Sequence, residues 1–150
     1  GWFQVHDGTR ILYTRCGRFS VNADGALVLE SADRGRLLEP SLVVPADTIE
    51  FSISSEGTVS ARTAGSTTLT QLGQIETSKF VNPHGLRRLA EGMFAETDAS
   101  GSAMTGTPGT DGRGTINQAY VEASNVSLDS ERRTLERLRK WERSLLASEE

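Results

Sequence analysis

The sequence predicts a mainly β domain of short antiparallel strands and hairpins at residues 1–126, followed by one amphipathic α-helix at residues 127–150. Two observations predict the β-domain: apolar residues recur with a period of two, and turn-forming pairs such as Asp-Gly separate the short apolar runs. A third observation predicts the helix, because the apolar spacing near the end of the chain changes to three and four. A chain of 150 residues has room for one domain with a short appendage.

Two β-hairpins are predicted near the amino end. The first turns at Asp7-Gly8, where glycine accepts the positive φ of a tight turn. The second turns at residues 22–25, where Asn and Asp side chains can bond their own backbone. The four predicted strands are residues 2–5, 11–14, 19–21 and 26–29.

A third strand pair follows the hairpins. Ile49, Phe51 and Ile53 alternate with polar residues, which predicts that all three lie on one buried face. A turn at residues 55–57 then leads into a strand at residues 58–61.

A longer extended stretch is predicted at residues 69–80. We expect Leu72, Ile75 and Phe80 to be its buried residues. Gly73 interrupts the alternation, which indicates a β-bulge.

The elements that follow are shorter. Pro83 can open a helical turn, which we expect to run through Arg88. Residues 100–114 contain five glycines and one proline, which predicts a long surface loop without regular structure. A last strand is predicted at residues 115–122. Its expected buried residues are Ile116, Ala119 and Val121.

The helix of the tail is predicted by a stripe of apolar residues at intervals of seven, three, three and four. The stripe consists of Leu128, Leu135, Leu138, Trp141 and Leu145. Asp129 or Ser130 can cap its amino end. We expect the stripe to pack either on the chain's own β-domain or on another chain, and the sequence leaves both open.

Composition argues against several classes of function. The net charge is −4, so nothing favours binding of a phosphate backbone, and nucleic acid is not an expected partner. No apolar run approaches the roughly 20 residues of a membrane helix, so we do not expect membrane insertion. The charge is uneven: residues 129–150 carry six basic and six acidic side chains, and residues 1–128 carry the whole net charge of −4.

Few residues suit catalysis or metal binding. Cys16 is the single cysteine, and with His6 and His84 it supplies too few ligands for a structural zinc site. Nothing in the spacing joins these three residues as nucleophile and base. We therefore expect no catalytic residues, no metal, no cofactor and no small-molecule substrate, and a buried or half-buried structural role for Cys16.

Several short motifs, taken in order, resemble the flagellar axial proteins of the bacterial rod and hook. The pieces that carry the resemblance are residues 1–5, 13–19, 24–28, 44–46, 57–60, 72–75, 80–86, 94–97, 99–101, 106–109 and 118–126. The Phe-x-Asn-Pro-x-Gly-Leu piece at residues 80–86 and the Glu-Ala-Ser-Asn-Val piece at residues 122–126 resemble the rod branch most closely.

The resemblance implies the outer β-domain of a subunit that polymerises helically into the basal-body rod and transmits torque. It implies export through the flagellar secretion apparatus without a cleaved signal peptide. The implied partners are copies of the same chain and other axial proteins, and no catalysis is implied. The motif residues expected to hold turns and core are Gly17, Phe19, Asn82, Pro83, Gly85 and Phe94. Strand edges and residues 100–114 are expected to meet neighbouring subunits.

The sequence also departs from the family pattern. The family's amino-terminal helix precedes the Gly-x-Phe-Gln-Val strand, and no such segment stands before Gly1 in this sequence. Residues 127–133 differ from the family's mildly acidic carboxy-terminal helix. These departures motivate an alternative prediction, in which a rod-like β-domain no longer polymerises and binds a protein partner through its tail helix.

Overall fold

The computed structural model describes residues 1–30, 35–119 and 128–148 of the chain. These residues contain twelve β-strands and one α-helix. The strands are β1 (Trp2–His6), β2 (Ile11–Thr14), β3 (Phe19–Val21), β4 (Leu27–Leu29), β5 (Leu37–Glu39), β6 (Thr48–Ile53), β7 (Thr58–Thr63), β8 (Thr70–Gln74), β9 (Thr77–Lys79), β10 (Arg87–Arg88), β11 (Phe94–Ala95) and β12 (Met104–Gly106), and the helix is α1 (Leu128–Ser148). The chain divides into two compact units, Gly1–Tyr120 and Val121–Glu150.

Nine of the described strands form one antiparallel sheet. Its order is β10-β11-β2-β1-β5-β4-β3, and β9 pairs with both β1 and β12. The first hairpin is confirmed, with Val5 opposite Leu12. Its turn is held by Asp7, whose carboxylate accepts hydrogen bonds from the backbone N–H groups of Thr9 and Arg10. These bonds hold the pKa of Asp7 well below its usual range.

The second hairpin, between β3 and β4, is also confirmed. The Asn22 side-chain oxygen accepts hydrogen bonds from the N–H groups of Asp24 and Ala26, at 3.0 and 2.8 Å. Gly25 has a φ of +81°, and a Cβ there would lie 2.5 Å from the carbonyl oxygen of Val44. This turn therefore requires glycine for both its backbone angle and its space.

The remaining three strands, β6, β7 and β8, form a second antiparallel sheet. Phe51 and Ile53 pack against buried residues as predicted, but the prediction for Ile49 was wrong, because its side chain is 59% exposed. The register between β6 and β7 shifts between Thr48 and Glu50. That bulge adds one residue to β6 and takes Ile49 out of the alternation.

The stretch predicted at residues 69–80 is divided between the two sheets as β8 and β9. Ile75 and Phe80 are buried as expected, and Leu72 is half-buried. The predicted bulge is confirmed, because the step from Val59 to Ser60 spans two residues of β8, from Gly73 to Gln71.

The helical turn at Pro83 is shorter than predicted. It is a single 3₁₀ turn, Pro83–Gly85, which closes with the Leu86 N–H on the Pro83 carbonyl. Arg87 and Arg88 are extended and form β10, because β11 is available to pair with them. A second 3₁₀ turn, Ala90–Gly92, joins the two strands.

Two predictions for the region after residue 100 were wrong. Residues 104–106 are not loop but form β12, because β9 offers an unpaired edge and three residues suffice to pair with it. Residues 115–119 form no strand: Ala119 is exposed with a φ of +64°, and Ile116 alone of that segment is half-buried. Val121 lies outside the described residues.

The tail helix is confirmed as α1. Asp129 and Ser130, the expected caps, fall within its first turn rather than before it. Within the described residues, no helix combines the length and apolarity that a membrane span needs.

The core of the β unit consists of three clusters of buried residues. The first lies between the two sheets and includes Leu38 and Val59, both 0% exposed. The second surrounds Val5 and Met93, and the third surrounds Phe80. Phe19 packs against both the first and the second cluster, so it joins them.

Candidate functional site

Phe94 lies in an aromatic cluster where β1, β2, β9 and β11 meet. The members of the cluster are Trp2, Tyr13, Phe80 and Phe94. The ring centroids of Trp2 and Phe94 are 4.8 Å apart, and those of Tyr13 and Phe80 are 4.9 Å apart. Both pairs meet edge to face, a geometry that contributes about 0.5–1.5 kcal/mol per pair beyond burial. The predicted core role of Phe94 therefore rests on partners from three other strands or their ends.

Tyr13 carries the polar end of this cluster. Its hydroxyl donates a hydrogen bond of 3.3 Å to a carboxylate oxygen of Glu96. Burial, and second the negative charge of Glu96, raise the pKa of Tyr13 to about 12. The same carboxylate oxygen accepts the N–H of Ala103, so Glu96 ties β2 to the segment before β12.

Residues 82–85 contact residues 97–100, and we call these two segments together the motif junction. The junction contains three of the predicted motif residues, Asn82, Pro83 and Gly85. The Asn82 side-chain amide donates to the Ala99 carbonyl at 3.0 Å. A Cβ on Gly85 would lie 2.4 Å from the carbonyl carbon of Ala99, so the two backbones touch. The junction brings two motif pieces into direct contact.

Hydrogen bonds of the Thr97 and Ser100 hydroxyls hold residues 97–100 of the motif junction in place. The Thr97 hydroxyl donates to the Gly85 carbonyl at 2.6 Å. The Ser100 hydroxyl, which is fully buried, accepts the Thr97 N–H at 2.9 Å. Thr97 and Ser100 belong to the motif pieces 94–97 and 99–101, and their spacing of three is typical of a side-chain turn.

Gly17 and Phe19 meet Phe3 rather than the motif junction. A Cβ on Gly17 would lie 3.4 Å from the Phe3 ring, and the rings of Phe3 and Phe19 meet edge to face at 5.3 Å. The six predicted motif residues thus form three neighbourhoods of one unit rather than a single pocket.

Arg113 is a functional candidate that the sequence patterns did not reveal. It is 7% exposed, and its guanidinium donates to the carbonyls of Thr77 in β9 and Met104 in β12, at 3.2 and 2.8 Å. A third bond of 3.1 Å reaches the Asp111 carboxylate. Arginine supplies several donors in fixed geometry, so one side chain ties β9 to β12.

The edge of β6 is covered by the segment that follows Arg113. The Gln118 side-chain amide accepts the Ile53 N–H at 2.9 Å and donates to the Phe51 carbonyl at 3.4 Å. The Ile116 N–H donates to the Ser55 carbonyl at 2.9 Å. These bonds satisfy strand-edge groups that would otherwise face solvent.

Several large apolar side chains are exposed on the described β unit, and we single out two pairs of them. Val81, 80% exposed, lies two residues beyond the end of β9, and Met104, 39% exposed, is the first residue of β12 and pairs with Lys79 of β9. Ile49 in β6 is 59% exposed, and Leu69, directly before β8, is 51% exposed, so the two residues lie on either side of β7 near Arg62. We call these the β12 patch and the β7 patch.

The apolar stripe of α1 is exposed where the structure describes its side chains. Leu135, Leu138 and Trp141 are 54%, 55% and 65% exposed. The side chains of Leu128 and Leu145 lie outside the description. A helix of this length with a bare apolar stripe presents a surface that favours a binding partner.

Cys16, His6 and His84 do not form a reactive group in the described structure. Cys16 is a free, half-buried thiol that packs beside the second core cluster, as predicted. His6 accepts the Gly8 N–H within the first hairpin, and His84 lies exposed in its 3₁₀ turn. Among the described residues, no three His, Cys, Asp or Glu side chains lie together as a metal site requires.

Comparison with known proteins identifies similar chains. Residues 1–61 match the family model described as flagellar hook protein FlgE/F/G D1 domain. The flagellar basal-body rod protein FlgG of Agrobacterium fabrum is 39% identical over 128 residues, which cover 84% of this chain and 47% of that protein. The protein of the same name from Bacillus subtilis is 33% identical over 135 residues, 87% of this chain and 50% of its own length.

The hook protein FlgE of Escherichia coli is also similar, with 37% identity over 87 residues, 58% of this chain and 21% of that protein. The chain spans about half the length of the curated rod proteins that it matches.

Proposed function

The chain belongs to the family of flagellar axial proteins, the subunits of the bacterial rod and hook, and from this we propose that it is a structural subunit of the basal-body rod, of the distal-rod type. The observation that carries the proposal is the similarity to proteins named as rod subunits, which extends over 84–87% of this chain in two of them. The described motif pieces also pack against one another, as a stable unit requires. The comparisons do not favour the alternative of a binding module that has lost polymerisation.

The geometry supports a mechanical role. A rod that transmits torque needs subunits that do not deform, and cores packed at native density resist deformation. Here the motif junction, the aromatic cluster and Arg113 connect segments that lie far apart in sequence, such as Tyr13 with Glu96 and Thr77 with Arg113. The motif residues are therefore proposed to keep the unit rigid under load.

Helical assembly requires heterologous contacts, in which one surface of a subunit meets a different surface of the next. The β12 patch and the β7 patch are two distinct exposed apolar surfaces on one unit, which suits that requirement. We propose them as assembly contacts, together with the remaining exposed part of residues 100–114. Copies of the chain and other axial proteins are the proposed partners.

The proposed subunit performs no catalysis and needs no cofactor, because its work is to hold shape and contact its neighbours. Its proposed location is the basal-body rod in the periplasm. Export by the flagellar secretion apparatus, without a cleaved signal peptide, is part of the same proposal.

Deletion of the gene tests the proposal. We expect cells that do not swim and whose basal bodies lack a complete rod in electron micrographs of purified hook–basal bodies. A plasmid copy of the gene should restore both. Normal flagella and normal swimming in the deletion strain would contradict the proposed function.

The assembly contacts are tested in the same strain. Val81→Asp and Ile49→Asp place a charge in each patch without disturbing buried residues, and we expect rods to remain incomplete although the protein is produced. Ile11→Asp is the matched control, because Ile11 is 44% exposed but lies in neither patch. Full motility of both patch variants would show that these surfaces are not assembly contacts.

A further inference from the structure

The helix α1 carries a strong positive charge beside its exposed apolar stripe. Between Arg132 and Arg143 the sequence has six basic and two acidic side chains, a net charge of +4. All of these charged side chains are exposed. Arg132 and Arg139 lie three residues before and four residues after Leu135, so they border the stripe on the helix surface. The described part of α1 therefore combines an apolar stripe with an excess of basic residues.

The three-stranded sheet carries the opposite charge. Residues 47–76, which contain its strands and turns, have four acidic side chains and one basic side chain, a net charge of −3. The acidic side chains are Asp47, Glu50, Glu56 and Glu76. Asp47 precedes β6 at one end of the sheet, and Glu56 lies in the turn between β6 and β7 at the other end. Both are exposed, and among the described residues no basic side chain forms an ion pair with either.

The sheet also has an outer face on which a helix can lie. Phe51 and Ala61 pair with each other and belong to the buried side of the sheet. The residues that alternate with them pair across the outer face, and they are Ser52, Ser60 and Gln71. The small serine side chains leave room for a close approach. Ile49 and Leu69 of the β7 patch add two exposed aliphatic side chains near the Asp47 end.

The charged segment of α1 and the sheet match in length. Residues 132–143 extend over about 16 Å, given the rise per residue of an α-helix. The six residues of β7 extend over about 17 Å. A helix lying along the strands therefore brings basic residues near both ends of the sheet, where the carboxylates lie.

From these matching charges and lengths we propose that the apolar stripe of α1 is occupied by the three-stranded sheet of a second copy. The stripe lies against Ile49 and Leu69 of the next subunit, and the basic residues of α1 face Asp47 and Glu56. The contact is heterologous, because a helix of one subunit meets a sheet of the next, so it can repeat without closing. The inference rests on the proposed function and deepens it by naming two surfaces that meet in self-assembly.

Other occupants of the stripe fit the charges less well. A second α1 helix carries the same net charge of +4 and would be repelled. An anionic lipid surface would attract the basic residues, but Glu142 lies four residues after Leu138 and borders the stripe. Lipid would draw this carboxylate towards hydrocarbon, where a charge is costly. The outer face of the sheet is polar by comparison and carries the basic side chain of Arg62.

Charge reversal in the full-length chain tests the contact, with sedimentation velocity at low ionic strength as the readout. The native chain should form species whose size keeps growing with protein concentration. Asp47→Lys combined with Glu56→Lys should weaken this association about tenfold or more, because attractive contacts become repulsive. Asp24→Lys combined with Glu30→Lys is the matched control, since both residues are exposed outside the sheet and the charge changes equally.

Reversal on the helix completes the test of charge. Arg132→Glu combined with Arg139→Glu should weaken the association by a similar factor. These two variants shift the net charge of the chain in opposite directions, so a general effect of net charge cannot weaken both. The chain with all four reversals should return to within about threefold of the native chain, because the attractive pairs re-form reversed.

Cross-linking between two chains tests which surfaces meet. One chain carries Leu135→Cys and the other carries Ile49→Cys, both in a Cys16→Ser background. On mild oxidation of the mixture, we expect the mixed disulfide-linked dimer at about fivefold the yield obtained when Ile11→Cys replaces Ile49→Cys. Mass spectrometry distinguishes the mixed dimer from dimers of like chains.

Five outcomes would overturn the inference. They are a monomer at every concentration studied, association that stops at a closed dimer, no greater weakening in the sheet variant than in its control, binding to phosphatidylserine vesicles without self-association, and a disulfide between positions 49 and 135 that forms within one doubly substituted chain but not between chains. The proposed function can fail separately, because a deletion strain with normal flagella would leave these solution results unchanged.

Discussion

At the scale of single residues, some of the motifs contain a position where no residue larger than glycine fits. Gly25 and Gly85 illustrate two different reasons. Gly25 combines a positive φ with a close carbonyl, whereas Gly85 needs only the space, since its Cβ would meet the Ala99 backbone at 2.4 Å. Backbone atoms cannot move aside as a flexible side chain can, so the Gly85 contact is fixed by the fold around it.

Gly85→Ala should destabilise the β unit by about 2–3 kcal/mol, because the added methyl group overlaps the peptide between Ala99 and Ser100. The measurement is the free energy of unfolding in urea. Gly114→Ala is the matched control: nothing lies within 4 Å of its Cβ position, and the cost should stay below about 0.5 kcal/mol. Equal stability of the two variants would show that the motif junction can accommodate the added methyl group, which would contradict this prediction.

Tyr13 should make stability depend on alkaline pH. Its pKa in the folded chain is raised from 10.0 to about 12, so the folded state holds the proton more tightly than the unfolded state. The contribution is therefore complete below pH 10 and is lost as the pH rises from 10 towards 12. In urea unfolding, Tyr13→Phe should show a smaller loss of stability across this interval. An unchanged pH profile in that variant would refute the assignment.

At the scale of elements, a short strand with one partner can depend on a side chain from outside the strand. That side chain supplies hydrogen bonds that strand pairing alone does not provide. β12 has three residues and one partner strand, β9. Arg113 returns from the following turn and bonds one carbonyl in each of the two strands. The glycine-rich segment predicted to be a loop thus contains a strand that depends on a buried arginine located seven residues beyond its end.

Arg113→Met should cost about 2–3 kcal/mol of unfolding free energy, because one buried and one partly buried carbonyl lose a charged donor. Hydrogen exchange should then accelerate at the amides that pair β9 with β12, around Ser78 and Thr105. Asp111→Asn removes only the exposed end of the arrangement and should cost less than about 1 kcal/mol. Slow exchange in the Arg113 variant would mean that β12 is held by pairing alone.

At the scale of the whole molecule, the two compact units differ in what stabilises them. The β unit has three buried core clusters. The helix α1 has 21 residues, and the described part of its apolar stripe is exposed. In proteins, most of the stability of a helix comes from tertiary packing of its apolar face.

The two units should therefore unfold separately when the chain is dilute. In a Trp141→Phe variant, Trp2 fluorescence reports the β unit and far-ultraviolet circular dichroism reports the helix. The helical signal should be lost at a lower urea concentration than the Trp2 signal. Coincident transitions at all concentrations would contradict this expectation.

Local sequence patterns determined much of the fold. The two amino-terminal hairpins, the strands around residues 51 and 59, the bulge beside Gly73 and the tail helix could all be predicted. Each depends on interactions between near neighbours: turn residues that bond their own backbone, apolar residues at intervals of two, or a stripe at helical spacing. The family resemblance likewise followed from short motifs in order.

The tertiary structure alone decided where distant segments meet. Four features depend on partners elsewhere in the chain. They are the exposure of Ile49, the strand at Met104–Gly106, the absence of a strand at the described residues 115–119, and the burial of Arg113. The spacing of residues along the sequence does not show which strand edge is free to pair or which carbonyl groups need a hydrogen-bond donor. Those partners are fixed only when the whole unit packs. The sequence by itself therefore determined the class of protein and most of its elements, and the packed structure decided which residues hold those elements together.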